Sequence, residues 1–424
     1  MIDVIKLLEA NNNVSDYKIN IRKKESYQLF FVKGKLETVR RANNCDKEIT
    51  VYVNHDEYKG DSEFFIYPST TEDETKELIS KAVAKALLIN NMNYELPMNE
   101  EGFFEVESNF KDYKASDLAY LISDVVFTSN DIDNASLNSV EVFINKHTDT
   151  IINSRGINKT QIKYDAMVEA IPTYNGENES VELYQQYNFG SFDANEVRNE
   201  IKEKLLEVKA RYEAIKPDFD INCKVIINKL ELSELFENIA YDLNYSSVYS
   251  QANVFKKDDL IQKNSTGDLI NITMKGEAIG NINSSKFDAD GMTLSSVKII
   301  EAGKAINYFG SNRFGQYLNE KPTGSLGCIV VDAGSACSKC LSNGPYLEIL
   351  SMSGLQVDFY KDYIGGEIRL AYYNDGNKII PVTGISFSGK LGEVLSSIRL
   401  SKELTICNRY NGPKKAILDN VNIF

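Results

Sequence analysis

The chain reads as an α+β protein in which duplicated N-terminal helix-strands-helix layers precede a β-rich C-terminal domain. Three observations predict this. At 424 residues the chain exceeds one ordinary core and should divide into two or three domains. Its first half repeats its own punctuation at a shift of about 122 residues, the mark of an internal duplication. Beyond Ile221 the texture changes to short apolar runs broken by Gly, Asn and Asp, as in successive strands and turns.

The first layer, residues 1–97, opens with "MIDVIKLLEANNN", read as a short amphipathic helix over residues 1–11. Asp3, Glu9 and the lack of a basic start, a long apolar run and a small-residue cleavage site argue against a signal peptide, so the cytoplasm is expected. "YKINIRKKESYQLFFVKGKLETV" reads as a hairpin turned at Lys33-Gly34, with further strands in "EITVYVN" and "EFFIYPS". A capping box from Thr71 to Glu74 then starts a helix in "TTEDETKELISKAVAKALL". The layer ends near Leu96-Pro97, where "PMNEEG" breaks the pattern.

The second layer, residues 98–216, repeats the order. "ASDLAYLISDVVFTSN" is its opening helix, "SVEVFINKHTDTIINSRGINKTQIKYDAMVEAI" supplies strands, and "FDANEVRNEIKEKLLEVKA" closes it. Arg155-Gly156 aligns with Lys33-Gly34, Thr160 with Thr38, and the box from Asp193 to Glu196 with that from Thr71 to Glu74. Residues 217–424 form the β-rich domain, apart from "KLGEVLSSIRL" and the helix in "NKLELSELFENIAYDLNY", which follows the strand "CKVIIN". In that helix Leu232, Leu235, Phe236, Ile239 and Leu243 keep the spacing of a buried face, while Glu231, Glu234, Asn238 and Asp242 lie elsewhere. Asn228 with Glu231 makes its capping box.

Composition removes several functions. A net charge of −14 and the absence of a basic stripe interleaved with aromatics argue against direct contact with nucleic acid. No apolar stretch approaches the roughly 20 residues that cross a bilayer. Six cysteines are sparse for this length and fit a reducing compartment.

Site motifs are mostly incomplete. The two histidines, His55 and His147, both fall in the first 150 residues, so neither a two-His zinc helix nor a Ser-His-Asp triad is available to the C-terminal domain. "CSKC", Cys337 to Cys340, has the spacing of half a zinc site or of a redox pair, but no second pair completes it. "GISFSGKL" puts Leu391 where a phosphate loop needs Ser or Thr. "KFDADGMTLSSV" puts Lys286 and Val297 where a calcium loop needs ligands, so Asp288 and Asp290 read as turn formers.

The runs "FDADGMTLSSVKIIEAGKAINYFGSNRFGQYLNEKPTGSLGCIVVDAG", "YLEILSMSGLQVDFY" and "IIPVTGISFSGKLGEVLSSI" resemble the C-terminal domain of the TldD/PmbA family, also called modulators of DNA gyrase. "INSRGINKTQ" resembles the family signature of the preceding domain, and "GPKKAILDNVNIF" its closing strand. The resemblance implies a cytosolic, zinc-dependent peptidase system in two branches. TldD-like members carry an H-E-x-x-x-H helix and a C-terminal cysteine as zinc ligands; TldE (PmbA)-like members lack them and pair with TldD. Here the equivalent helix, "LELSELFENIAYDL", has no His, and Cys407 falls in the region of the cysteine ligand, where one soft ligand cannot hold catalytic zinc. "KDYIGGE" stands where TldE members commonly have T-G-D-F-S.

The resemblance therefore implies a non-catalytic, TldE-like subunit of a zinc metallopeptidase complex that handles extended or unfolded peptides. Zinc is expected in a TldD-like partner, with no cofactor, metal or catalytic residue in this chain. Asn153, Ser154, Arg155 and Gly156 are the candidates for the peptide cleft. The alternative is a stand-alone homodimer that binds peptides without cutting them.

Overall fold

A computed structural model describes residues 3–341 and 343–424. The first layer comprises helix α1 (Val4–Glu9), strands β1 (Asp16–Val32), β2 (Lys35–His55) and β3 (Tyr58–Ile66), and helix α2 (Glu72–Ala86). The expected first helix is thus present in part, its residues 1 and 2 lying outside the described range. After strand β4 (Glu100–Glu105), the second layer comprises α3 (Ala115–Phe127), β5 (Ala135–Asn153), β6 (Ile157–Asn175), β7 (Ser180–Glu182), β8 (Gln185–Phe189) and α4 (Ala194–Glu213). Most boundaries of the first layer return about 122 residues later, as the sequence repeat predicts.

The two layers do not form separate sheets. One eight-stranded sheet runs β3-β2-β1-β5-β6-β4, with β7 and β8 also paired to β6. Antiparallel pairing of β1 with β5 fuses the copies from Lys18 opposite Asn153 to Val32 opposite Ser139. Two core clusters lie along the sheet: Leu8, Ile19, Val51 and Ile79 pack together in the first copy, and Leu118, Val142 and Leu205 in the second, where β1 of the first copy adds Leu29. The duplication is therefore one of packing units on a shared sheet.

The hairpin expected at Lys33-Gly34 is present, with φ of +48° and +74° at those residues. It is longer than expected, however. β2 is one strand of 21 residues rather than two, because β1 stays paired with it through "RRANNCD", a polar run whose Asn43 and Asn44 otherwise suggest a turn. β4 was not expected either; its polar "EEGFFE" pairs in parallel with β6, where the sequence suggests only a break. The two closing helices begin as predicted: Thr71 accepts the Glu74 backbone N–H at 3.3 Å, and Asp193 accepts those of Asn195 and Glu196 at 2.8 and 3.3 Å.

The C-terminal domain begins with β9 (Lys224–Asn228) and helix α5 (Lys229–Asp242) and contains a six-stranded and a nine-stranded sheet. Leu232, Leu235, Phe236 and Ile239 of α5 are fully buried in one hydrophobic core that draws on both sheets. Burying a Leu or Phe side chain stabilises by about 1.5–3 kcal/mol, so this face fixes where the helix sits. The two halves are joined by polar contacts, one part-buried and one buried. Lys18 meets Asp290 at 2.7 Å, and Lys159, with no exposed side-chain surface, donates to the Gly291 carbonyl at 2.7 Å.

Candidate functional site

A cleft of about 270 Å³ opens where the second N-terminal layer meets the first turn of α5. Helix α4 lines it with Glu200, Glu203, Leu206 and Glu207, and β8 with residues 185–188. Asn228 to Glu231 form the α5 wall, and Ile406, Cys407, Lys414 and Lys415 come from the chain's last hairpin region. Residues far apart in sequence are held together because β9 enters α5 from the nine-stranded sheet while α4 packs from the other half.

The α5 wall is organised by the strand-to-helix turn. Glu231 reaches back to accept the Asn228 backbone N–H at 3.3 Å, and the Asn228 side-chain amide donates to the Ile349 carbonyl. Glu231 is buried, and that burial pushes its carboxyl up to about 7. Lys229 forms an ion pair with buried Glu200 of α4 and lies 5.9 Å from the centre of the Tyr187 ring. Burial pulls its ammonium down to about 8. Cys407 lies behind α5, its carbonyl accepting from Ser233 Oγ at 3.5 Å, and burial pushes its thiol up to about 11.

Further ion pairs surround these groups. Lys204 and Arg211 hold Glu207 at 2.6 and 3.1 Å, Lys414 holds Glu203 at 2.9 Å, and Lys415 holds Glu348 at 2.5 Å. Between them Leu206, Leu230, Leu350, Ile406 and Tyr372 supply apolar surface. The arrangement suits a ligand with an apolar side chain and polar main-chain groups.

These residues do not fit a zinc ion. Zinc takes thiolate, imidazole or carboxylate ligands, and the helix beside Cys407 offers no imidazole. The Lys229 ammonium is a further positive charge in the same cleft. Among the described residues no three His, Cys, Asp or Glu side chains are grouped to hold a metal ion. His147 lies in β5 in contact with Asp165, and His55 ends β2 with Nε2 3.1 Å from the Ile89 carbonyl oxygen.

The residues picked from sequence are brought together elsewhere. Asn153, Ser154, Arg155 and Gly156 make the tight turn between β5 and β6, and none lines the cleft. Asn153 Oδ1 accepts the backbone N–H groups of Arg155 and Ile157 at 2.9 and 3.0 Å, and its Nδ2 donates to the Pro97 carbonyl at 2.8 Å. Asp16 accepts from Ser154 Oγ at 2.8 Å, from Arg155 Nε at 2.6 Å and from buried Lys59 Nζ at 2.8 Å. Gly156 sits at φ +85°, a conformation that disfavours a side chain.

Glu231, which the sequence places off the apolar face and in a capping box with Asn228, is buried in the cleft; Asp242, also off that face, is buried and accepts the N–H groups of Val254 and Phe255 at 2.7 and 2.9 Å. Lys229, Glu200 and Glu207 carry no sequence signal beyond their place beside a strand-to-helix turn or on a helix face. Their burial arises only when α4 and α5 meet. Asp288 and Asp290 do shape a turn, Asp288 accepting the Asp290 and Met292 backbone N–H groups at 2.9 and 3.0 Å.

Residues 221–423 match the family described as "PmbA/TldA metallopeptidase C-terminal domain". The whole chain superposes on the crystal structure of TldE from Thermococcus kodakarensis with a TM-score of 0.78 at 13% identity, covering 99% of each chain. A protein described as a modulator of DNA gyrase from Bacteroides thetaiotaomicron gives 0.77 at 13% identity, covering 99% of this chain and 97% of that one. A second so described, from Thermotoga maritima, gives 0.75 at 12% identity, covering 99% and 98%. No curated protein matches the chain.

Proposed function

From the premise that this chain, through residues 221–423, belongs to the TldD/PmbA family, we propose that it is a TldE-like, non-catalytic subunit of a zinc metallopeptidase complex. The observation that carries the reading is α5. The helix keeps its buried apolar face and its place at the cleft, yet carries Lys229 and Glu231 and no imidazole. A TldD-like partner with an H-E-x-x-x-H helix would supply the zinc.

This chain's own part is to receive substrate. Strand β8 pairs with β6 and, among the described residues, with no other strand, while residues 185–188 line the cleft. An extended peptide laid along that edge would pair main chain to main chain, a grip that tolerates many sequences, and place an apolar side chain between Leu206 and Leu230. No helix among the described residues is long and apolar enough to cross a membrane, and the complex is proposed to work in the cytoplasm.

The experiment is gentle purification of the tagged chain from its own host, followed by native mass and zinc measurement. A complex with a zinc-bearing H-E-x-x-x-H chain, cleaving unfolded peptide faster than that chain alone, is the expected result. A metal-free homodimer that binds peptide without cutting it would replace this reading with the stand-alone one.

A further inference from the structure

Cys337 and Cys340 are both exposed, and their sulfurs lie 3.0 Å apart on the outer side of the nine-stranded sheet. The main chain between them is a closed turn, the Cys340 and Leu341 N–H groups donating to the Cys337 carbonyl at 2.8 and 3.1 Å. That spacing brings the two Cα atoms into the range a disulfide spans.

The turn is held from both ends. Ala336 N–H donates to the Leu400 carbonyl and Lys402 N–H to the Ala336 carbonyl, each at 2.9 Å. Lys224 Nζ donates to the carbonyls of Cys340 and Asn343 at 3.0 and 2.8 Å, and Leu341 packs on Ile226, Tyr346 and Ile417. The remaining cysteines differ in kind. Cys328 is buried, burial pushes the thiols of Cys223 and Cys407 up to about 11, and Cys45 is exposed on β2.

We propose that Cys337 and Cys340 are a reversible dithiol-disulfide site whose reaction partner is a low-molecular-weight disulfide of the glutathione type. The thiolate of one cysteine attacks a sulfur of glutathione disulfide, forming a mixed disulfide and expelling one glutathione thiolate. The other cysteine's thiolate then attacks the protein sulfur of that mixed disulfide and expels the second glutathione. Two electrons pass from the dithiol to the glutathione disulfide, and the two thiol protons end on the departing glutathiones. The site lies close to the cleft: Lys415 lines both the cleft and the small hollow beside Cys337.

The test uses the full chain alone and no peptidase assay, so its outcome is separate from that of the subunit reading. The protein is equilibrated over a range of glutathione to glutathione disulfide ratios, its remaining thiols are alkylated, and intact and peptide masses are measured. The expected product is about 2 Da lighter than the reduced chain before alkylation, lacks both labels on the peptide holding Cys337 and Cys340, and reverts with excess glutathione. Cys337→Ser and Cys340→Ser, both at exposed positions, should instead stop at a single glutathione adduct on the remaining cysteine. Double alkylation of the pair at ratios that already glutathionylate Cys45 would overturn the proposal. So would an intramolecular disulfide that persists in either variant.

Discussion

Lys229, in the first turn of α5, pairs with Glu200 of α4, so one buried ion pair ties the duplicated half to the C-terminal domain at the floor of the cleft. Both side chains are largely withdrawn from water, at 14% and 8% exposure, which makes each dependent on the other. Removing one partner of such a pair leaves an uncompensated buried charge and costs about 3–5 kcal/mol, whereas removing both together costs far less.

Lys229→Met should therefore destabilise the contact between α4 and α5 by roughly 3 kcal/mol, and Lys229→Met with Glu200→Gln should recover most of that. Hydrogen exchange of α4 and α5 amides reads the local loss directly and avoids treating a chain of several domains as two-state. Equal losses in the single and double variants would show that the pair is not coupled.

The cleft should respond to pH through Glu231. Its carboxyl rises from an ordinary 4.5 to about 7 in the fold because it is buried, so between those values the folded chain holds a proton that the unfolded chain has released. Stability then falls as pH rises through that window, and the penalty is complete above it. Glu231→Gln removes the penalty. It should match the natural chain near pH 4.5 and exceed it by up to about 3 kcal/mol at pH 8, as read by urea unfolding at the two pH values. A constant difference across the range would rule this out.

Leu235 is fully buried on the core face of α5. Leu235→Ala should cost about 2–5 kcal/mol through the cavity it leaves, and thermal unfolding should show the loss in the C-terminal domain first. Glu234→Ala removes the acceptor of the Leu355 backbone N–H and should cost about 1–3 kcal/mol.

Asn153→Ala tests whether the β5–β6 turn is architecture or part of the peptide path. It deprives Arg155, Ile157 and Pro97 of their hydrogen-bond partner, and should lower stability by about 1–3 kcal/mol. If the turn acts only as structure, peptide affinity of the folded variant is unchanged; weaker peptide binding, measured by fluorescence anisotropy below the unfolding transition, would return Asn153 to Gly156 to the binding path.

Much of the fold was legible because its signals are local. The capping residues Thr71 and Asp193 mark the helix starts, and the apolar spacing of α5 predicts its buried face. The strand from Lys35 to His55 was not legible as one piece, since its polar middle is held by pairing with β1 and not by a sheet-forming composition. The site was hidden for a related reason. Lys229 meets Glu200 across 29 residues of sequence, and Cys407 joins them from the far end of the chain. Charged side chains read as surface until a second helix removes the water around them. No spacing rule along the chain reports that event.

The shared sheet also sets how this protein can be taken apart. A cut between residues 97 and 98 separates β1 from β5, which face each other over fifteen cross-strand pairs. Each fragment would emerge with a long row of bare main-chain donors and acceptors along its newly opened side, a template for adhesion to any similar chain. Supplied together, the fragments have a ready route to complement one another. Produced singly, each is set to cling to its own copies, so the gene divides cleanly in its repeat pattern but not in its product.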